Sequence, residues 1–308
     1  MIITISSLNL YNTCAPKYYF RHERGLVRTG IFEEALEIGS AFHSGMEGET
    51  VAAGLDRVED YFARLASAIT PDAWFKIDEM RAKSRAMIRH AKERWPEMPK
   101  YREMEFDVGI DIEGVRFCGK VDRINEHCLD DYKTASDVIQ SATDSLMKWQ
   151  LPGYAWGLNR RGHNIDTLNY RFIAKPQVKR YKPGKKRKEP ETVEAYESRC
   201  YEAIKDCPTH EEEVFLHDGK LDAFERYMLS TLALIMSSKQ SGAWPCNQSA
   251  CKNYNRDCVY RPLCQQVANG TVLEDIRIDG FEDKRVHAEL EEKEGQDGGG
   301  KHDGNNDN

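Results

Sequence analysis

Gly119-Lys120-Val121-Asp122-Arg123-Ile124 and, a short turn later, Leu129-Asp130-Asp131-Tyr132-Lys133-Thr134 are the segments whose reading decides the fold of this chain. With Arg102 to Ile112 before them, the stretches Val115 to Asn125 and Cys128 to Thr134 are short and rich in Val, Ile, Phe and Tyr. Breaks at Glu113-Gly114 and near Glu126-His127 predict an antiparallel meander. A hairpin turning between Glu126 and His127 pairs residues whose numbers add to 253, so Asp122 faces Asp131. Their backbones then lie ~5 Å apart, and like charges so placed destabilise a sheet unless a cation lies between them. An oxygen-rich site of this kind suits Mg²⁺ or Mn²⁺. Residues i and i+2 of a strand share a face, so Lys133 points the same way as Asp131.

Two acids, a divalent ion and an amine are what phosphodiester hydrolysis requires: the ion activates water and offsets charge growing on the phosphate, and the amine orients or stabilises. An isolated Asp-x-Lys is usually scattered charge on an exposed hairpin, so its neighbours must carry the weight. Downstream, a helix is predicted over Asp137 to Leu158, where Gln150 and Tyr154 fall on one face at i, i+4 among the core-forming Leu146, Trp149, Leu151 and Trp156. Asp166 to Ala174 reads as a further strand, followed by helices over Glu191 to Asp206 and Lys220 to Ser238. Upstream, helices are predicted over Leu8 to Tyr19, with Pro16 complicating it, Phe32 to Gly48, Asp56 to Ile69 and Pro71 to Trp95. In the second of these, Ile38, Phe42 and Met46 form an apolar stripe that brings His43 beside it. The order helix, three strands, helix, strand gives a mixed α/β core with helical additions.

Four segments in this order, Gly39-Ser40-Ala41-Phe42-His43, Gly119-Lys120-Val121-Asp122-Arg123, Asp131-Tyr132-Lys133-Thr134 and Gln150-Leu151-Pro152-Gly153-Tyr154, resemble the RecB-like, AddB-like branch of the PD-(D/E)XK nucleases, which includes CRISPR-adaptation and phage exonucleases. The resemblance spans roughly residues 4 to 265 and implies a restriction-endonuclease-like core. It implies His43, Asp122 and Asp131 as metal ligands, joined by the backbone carbonyl of Tyr132. Lys133 becomes the catalytic lysine, and Gln150 and Tyr154 shape the site and touch the strand. Glu105 is a further acid on the first strand, with Glu103 competing for the role.

The chain has nine cysteines. Its length makes disulfides unnecessary, and four of them, Cys246, Cys251, Cys258 and Cys264, fall in nineteen residues, which points to metal. Those four alone could bind zinc tetrahedrally. The resemblance implies a different set: one cysteine from the N-terminal helix, Cys14, and three from the C-terminal segment, Cys251, Cys258 and Cys264, holding a [4Fe-4S] cluster. Ala15 interrupts the usual Cys-Pro, and Cys246 competes with Cys251. Such a cluster would be a structural staple.

Lys179-Arg180-Tyr181-Lys182-Pro183-Gly184-Lys185-Lys186-Arg187-Lys188 carries seven basic residues in ten. Such runs are commonly solvated loops. In a nuclease, Lys179, Arg180, Tyr181, Lys182, Lys185, Lys186, Arg187 and Lys188 become a strand-guiding surface, since phosphate neutralisation drives sequence-independent binding and rings stack bases. No helix-turn-helix or zinc-finger pattern reads base sequence.

The formal net charge is −7, yet 12 acidic against 5 basic residues from Thr271 onward account for all of it. Residues 1–270 read as one domain: helical to 100, a catalytic core over 101–175, a basic loop and helices over 176–245, and the cysteine segment over 246–264. Residues 271–308 read as an acidic tail, disordered from about 290. No run approaches the ~20 apolar residues of a membrane helix, and the start shows no basic-then-apolar leader, so the expected setting is cytoplasmic. The expectation is a Mg²⁺- or Mn²⁺-dependent deoxyribonuclease in recombination, repair or phage DNA metabolism, and the resemblance alone implies an exonuclease. A non-cleaving DNA-binding or assembly subunit and an RNA nuclease are the alternatives.

Overall fold

The computed structural model describes residues 1–29, 34–67, 74–96, 111–112, 114–182, 189–207, 209–253 and 256–284. The chain divides into two compact units, Gly30–Arg226 and a second made of Met1–Thr29 with the residues from Tyr227 onward. No helix among the described residues is long and apolar enough to cross a membrane.

The second unit begins with β1 (Ile2–Ile3), α1 (Ile5–Thr13), α2 (Ala15–Tyr18) and β2 (Leu26–Arg28). Thr4 caps α1 through a reciprocal pair of bonds with Ser7. The single helix expected over Leu8 to Tyr19 is broken at Cys14, which adopts extended backbone, because Pro16 cannot supply the N–H that a continuous helix needs and instead sits in the first turn of α2.

The larger unit opens with α3 (Glu34–Met46), α4 (Val51–Ser67) and α5 (Trp74–Arg94). Their shared core buries Ile38, Phe42 and Met46 from α3, Val58 and Phe62 from α4, and Met80, Met87 and Ile88 from α5. Each such side chain contributes roughly 1.5–3 kcal/mol. A Cβ on Gly54 would lie 2.6 Å from the Gly45 carbonyl oxygen, so two glycines let α3 and α4 touch along their backbones and fix the position of α3.

Next come β3 (Asp111–Ile112) and β4 (Val115–Phe117), an antiparallel hairpin turning through Gly114, then β5 (Arg123–Asn125), β6 (Cys128–Ala135), α6 (Val138–Leu146), α7 (Gln150–Arg160), β7 (Thr167–Ala174), α8 (Val193–Ile204) and β8 (His210–Phe215). A four-stranded sheet runs β5-β6-β7-β8, with β6 and β7 parallel and the outer pairs antiparallel. The β5–β6 register is the expected one, with Arg123 opposite Asp130 and Asn125 opposite Cys128. Glu126 turns the hairpin at a positive φ of 22°.

Three expectations are corrected. Val115 to Asn125 is not one strand: it is interrupted between Phe117 and Arg123, where only Gly119 keeps a bridge pairing. The stretch from Asp137 to Leu158 is two helices, because Pro152 starts a new helix in the first turn of α7. β8 was not expected, and among the described residues the three strands form no continuous meander in one sheet. The strand expected over Arg102 to Ile112 lies outside the described residues except for Asp111 and Ile112.

The chain then follows α9 (Asp218–Ser241), β9 (Lys252–Asn253), β10 (Arg256–Asp257), α10 (Arg261–Ala268) and β11 (Phe281–Asp283). In the second unit β11 pairs with β2, and Phe20, Leu26, Tyr260, Leu263 and Ile276 form a small core. Tyr11 donates to the Leu234 carbonyl, and Asn12 bonds Tyr227 and Thr231, which joins α1 to the later part of α9.

Candidate active site

β6 carries two adjacent carboxylates that point to opposite faces of the sheet. Asp130 is buried on the face of Tyr132, where Arg123 and Arg171 each reach it at 3.3 Å and the Asn169 amide donates to it at 2.8 Å. That acid is fully neutralised. Asp131 is 3% exposed on the other face; its Oδ1 takes the Lys133 ammonium at 2.9 Å, while its Oδ2 is buried with no hydrogen-bond partner among the described residues. Burial raises the Asp131 pKa, a shift the Lys133 charge opposes and the Asp122 charge reinforces.

Asp122 lies just before β5 and receives two bonds. His43 Nδ1, from α3, is 3.0 Å from its Oδ1, and the Tyr132 N–H donates to its Oδ2 at 2.8 Å. Burial works to raise the Asp122 pKa, but the His43 imidazole and the Tyr132 amide outweigh it, so the carboxylate is held below its usual range. Burial likewise lowers the His43 pKa, and the Asp122 carboxylate more than offsets this, leaving it raised.

Lys133 is held from a second side by Gln150 Oε1 at 3.0 Å. Gln150 is the first residue of α7, and Tyr154, one turn on, is buried, its hydroxyl pKa raised by burial and then by Asp131. A Cβ on Gly119 would lie 2.2 Å from the Tyr154 ring, so only glycine lets the chain before Asp122 pass beneath it. The site thus gathers His43, Asp122, Asp131, Lys133, Gln150 and Tyr154 from α3, the β4–β5 connection, β6 and α7.

The side-chain donors suit a hard divalent ion: two carboxylates and an imidazole, with one buried carboxylate oxygen unsatisfied and Tyr132 lining the same pocket as His43 and Asp122. Among the described residues, no three His, Cys, Asp or Glu side chains surround one common point, and His43 is paired with Asp122.

Sequence reasoning missed Tyr170, opposite Asp131 on β7, whose buried hydroxyl has no hydrogen-bond partner among the described residues and whose pKa is raised by burial and then by Asp131. It also missed Glu47, one turn beyond His43, and Lys120, whose ammonium is 3.2 Å from it. Parallel pairing of β6 with β7 was the unread signal for Tyr170.

On the basic run, Lys179, Tyr181 and Lys182 are exposed. Arg180 departs from the expected DNA surface: it is buried, donates to the Glu191 carbonyl at 2.8 Å, reaches Asp78 at 3.5 Å and lies over the Phe75 ring. Lys182 also lies over Phe75, and Arg199 covers Tyr181 at 3.9 Å. Lys185, Lys186, Arg187 and Lys188 lie outside the described residues, as do Glu103 and Glu105.

In the second unit the thiols of Cys14, Cys246, Cys251, Cys258 and Cys264 share one neighbourhood. Burial, then Cys14 and Cys251, with which it hydrogen-bonds, push the Cys246 thiol up to about 11. Burial and the four other thiols push Cys264 up to about 12. All nine cysteines are free. Among the described residues, the five do not close around a single point.

The sequence profile described as the PD-(D/E)XK nuclease superfamily matches residues 2–265. No curated protein matches the chain.

Proposed function

The chain belongs to the PD-(D/E)XK nuclease superfamily, and from that premise we propose that it is a divalent-metal-dependent deoxyribonuclease of the RecB-like branch, acting as an exonuclease on single strands or DNA ends. The observation that carries this reading is the buried, unpartnered Asp131 Oδ2 beside a lysine fixed between Asp131 and Gln150. His43, Asp122, Asp131 and the Tyr132 carbonyl are the residues that would hold Mg²⁺ or Mn²⁺. When bound, such an ion lowers the pKa of water and offsets charge on the scissile phosphate. Lys133 presents an ammonium, part-buried and already oriented, to the phosphate oxygens as their charge grows. Gln150 keeps that ammonium in place, and Tyr154 closes the pocket over Gly119. Lys179, Tyr181 and Lys182 supply a surface for phosphates and bases outside it.

A [4Fe-4S] cluster on Cys14, Cys251, Cys258 and Cys264 completes the proposal, with Cys246 within bonding reach of two neighbouring thiols. The gathering of five cysteines from distant parts of the sequence into one neighbourhood supports it. A cluster there ties the N-terminal helices to the C-terminal segment and stabilises the second unit as a staple. The host process proposed is recombination, repair or phage DNA metabolism, in the cytoplasm.

The test is digestion of end-labelled single- and double-stranded DNA and of matched RNA, with Mg²⁺ or Mn²⁺ and with EDTA. Metal-dependent release of short products from DNA ends is expected, with D131A and K133A inactive. Binding without cleavage under every condition, or cleavage that survives both substitutions, overturns the reading.

A further inference from the structure

The lip of the cleft carries a cation that the scheme above leaves unused. Lys120, two residues before Asp122, lines with His43, Glu47, Val121 and Asp122 a pocket of about 10 Å³, close to the least volume that holds one water. The Lys120 side chain is 58% exposed, and its Nζ lies 3.2 Å from Glu47 Oε1. Glu47 is 11% exposed, and its other oxygen pairs with Arg57, whose Nε donates to the Ser44 carbonyl at 2.9 Å. The Glu47 carboxylate is therefore pinned at the end of α3 and compensated without Lys120.

We propose that Lys120 binds a phosphate oxygen of the substrate strand beside the scissile bond, and that Glu47 is the rest that keeps its ammonium at the lip until the strand arrives. The proposal rests on the nuclease reading. With its Lys120 end in water the pair gains little, so exchanging one Glu47 oxygen for a phosphate oxygen costs little, and Arg57 leaves no bare carboxylate behind. Lys133, by contrast, is held between two partners on the inner face and cannot travel to an incoming strand. The division of labour is an inner ammonium for the reacting phosphate and an outer one for its neighbour.

The experiment compares K120M, K120R and the remote surface variant K205M. Cleavage of a labelled single-stranded oligonucleotide is measured with Mg²⁺, and binding of the same oligonucleotide is measured in EDTA across a salt series. K120M is expected to raise KM about tenfold with a smaller fall in kcat, and to reduce the slope of log K against log salt by ~0.7, one phosphate contact on a single strand. K120R should stay near wild type, and K205M should match it. If K120M equals K205M in both KM and salt slope, or lowers kcat alone, the proposal fails. Should K120M lower the melting temperature, K120Q carries the same comparison. A wild-type chain that binds DNA with the Lys120-dependent slope but never cleaves it sinks the nuclease reading and leaves the phosphate contact standing; no binding at all sinks both.

Discussion

His43 Nδ1 lies 3.0 Å from Asp122 Oδ1, and the other oxygen of that carboxylate accepts the Tyr132 N–H. One acid on an irregular segment thereby joins a helix to the central strand of the site. The pair is a structural clamp, and in the proposed function it supplies two of the groups that would hold the metal ion.

In chelator, this pair should leave a signature in stability against pH. The His43 pKa is raised above 6.5, so its contribution is fully present below that value and is lost as pH rises through the raised pKa. The Asp122 pKa is held below 3.8, so its contribution is present above that value and is lost as pH falls through the depressed pKa. Thermal melts of wild type against H43Q should therefore show a wild-type advantage that shrinks above about pH 6.5. An advantage that grows with pH would contradict the clamp.

Asp131 carries an unfavourable burial that the proposed cation would relieve. In chelator, D131N should melt at or above the wild-type temperature while cleavage falls by orders of magnitude. Saturating Mg²⁺ or Mn²⁺ should stabilise wild type by about 2.7 kcal/mol at a hundredfold excess over Kd and leave D131N nearly unmoved. Calorimetric scans with and without metal decide it; equal metal shifts in both proteins would remove Asp131 from the ligand set.

Gly119 and Tyr154 should be energetically coupled. G119A drives a methyl into the Tyr154 ring, at a cost of roughly 1–3 kcal/mol and a displaced active-site wall. Y154A opens the space, so G119A in that background should cost far less. A double-mutant cycle with additive effects would mean that the ring is not what excludes a side chain at 119.

Cysteine variants sort the staple from its bystanders. C14S, C258S and C264S should each bleach the protein's visible absorbance, lower bound iron and lower the melting temperature, whereas C118S and C200S should not change the iron content. C246S and C251S, run side by side, assign the remaining ligand. Iron retained in all of these, or zinc in its place, ends the cluster proposal.

Much of the site was legible because it depends on strand periodicity. The summed register of β5 and β6 and the shared face of Asp131 and Lys133 follow from a period of two and a two-residue turn. Helix presence was legible from apolar spacing, but helix continuity was not: Pro16 and Pro152 mark first turns, and their role there resembles a helix interior until the preceding break is seen. β8 stayed hidden because His210-Glu211-Glu212-Glu213 has poor strand propensity and pairs with β7 on only one side. Arg180 was misplaced because a run of cations says nothing about which one meets Glu191, Asp78 and Phe75 after folding. Tyr170 reaches the site only through tertiary proximity, whereas Glu47, one turn beyond His43, was within reach of helical spacing.

The alternation of Asp130 and Asp131 along β6 also polices assembly of the protein. A slip of one residue against β5 and β7 would thrust the wholly buried Tyr132 into the polar cleft and drive Asp131 among the arginines that wait for Asp130. Every such misaligned intermediate strands an aromatic ring in water and leaves charges mismatched on both faces. The chain can then finish folding only in the alignment that builds its cleft, and the arginine cage, remote from any chemistry, acts as the proofreader of the acid next door.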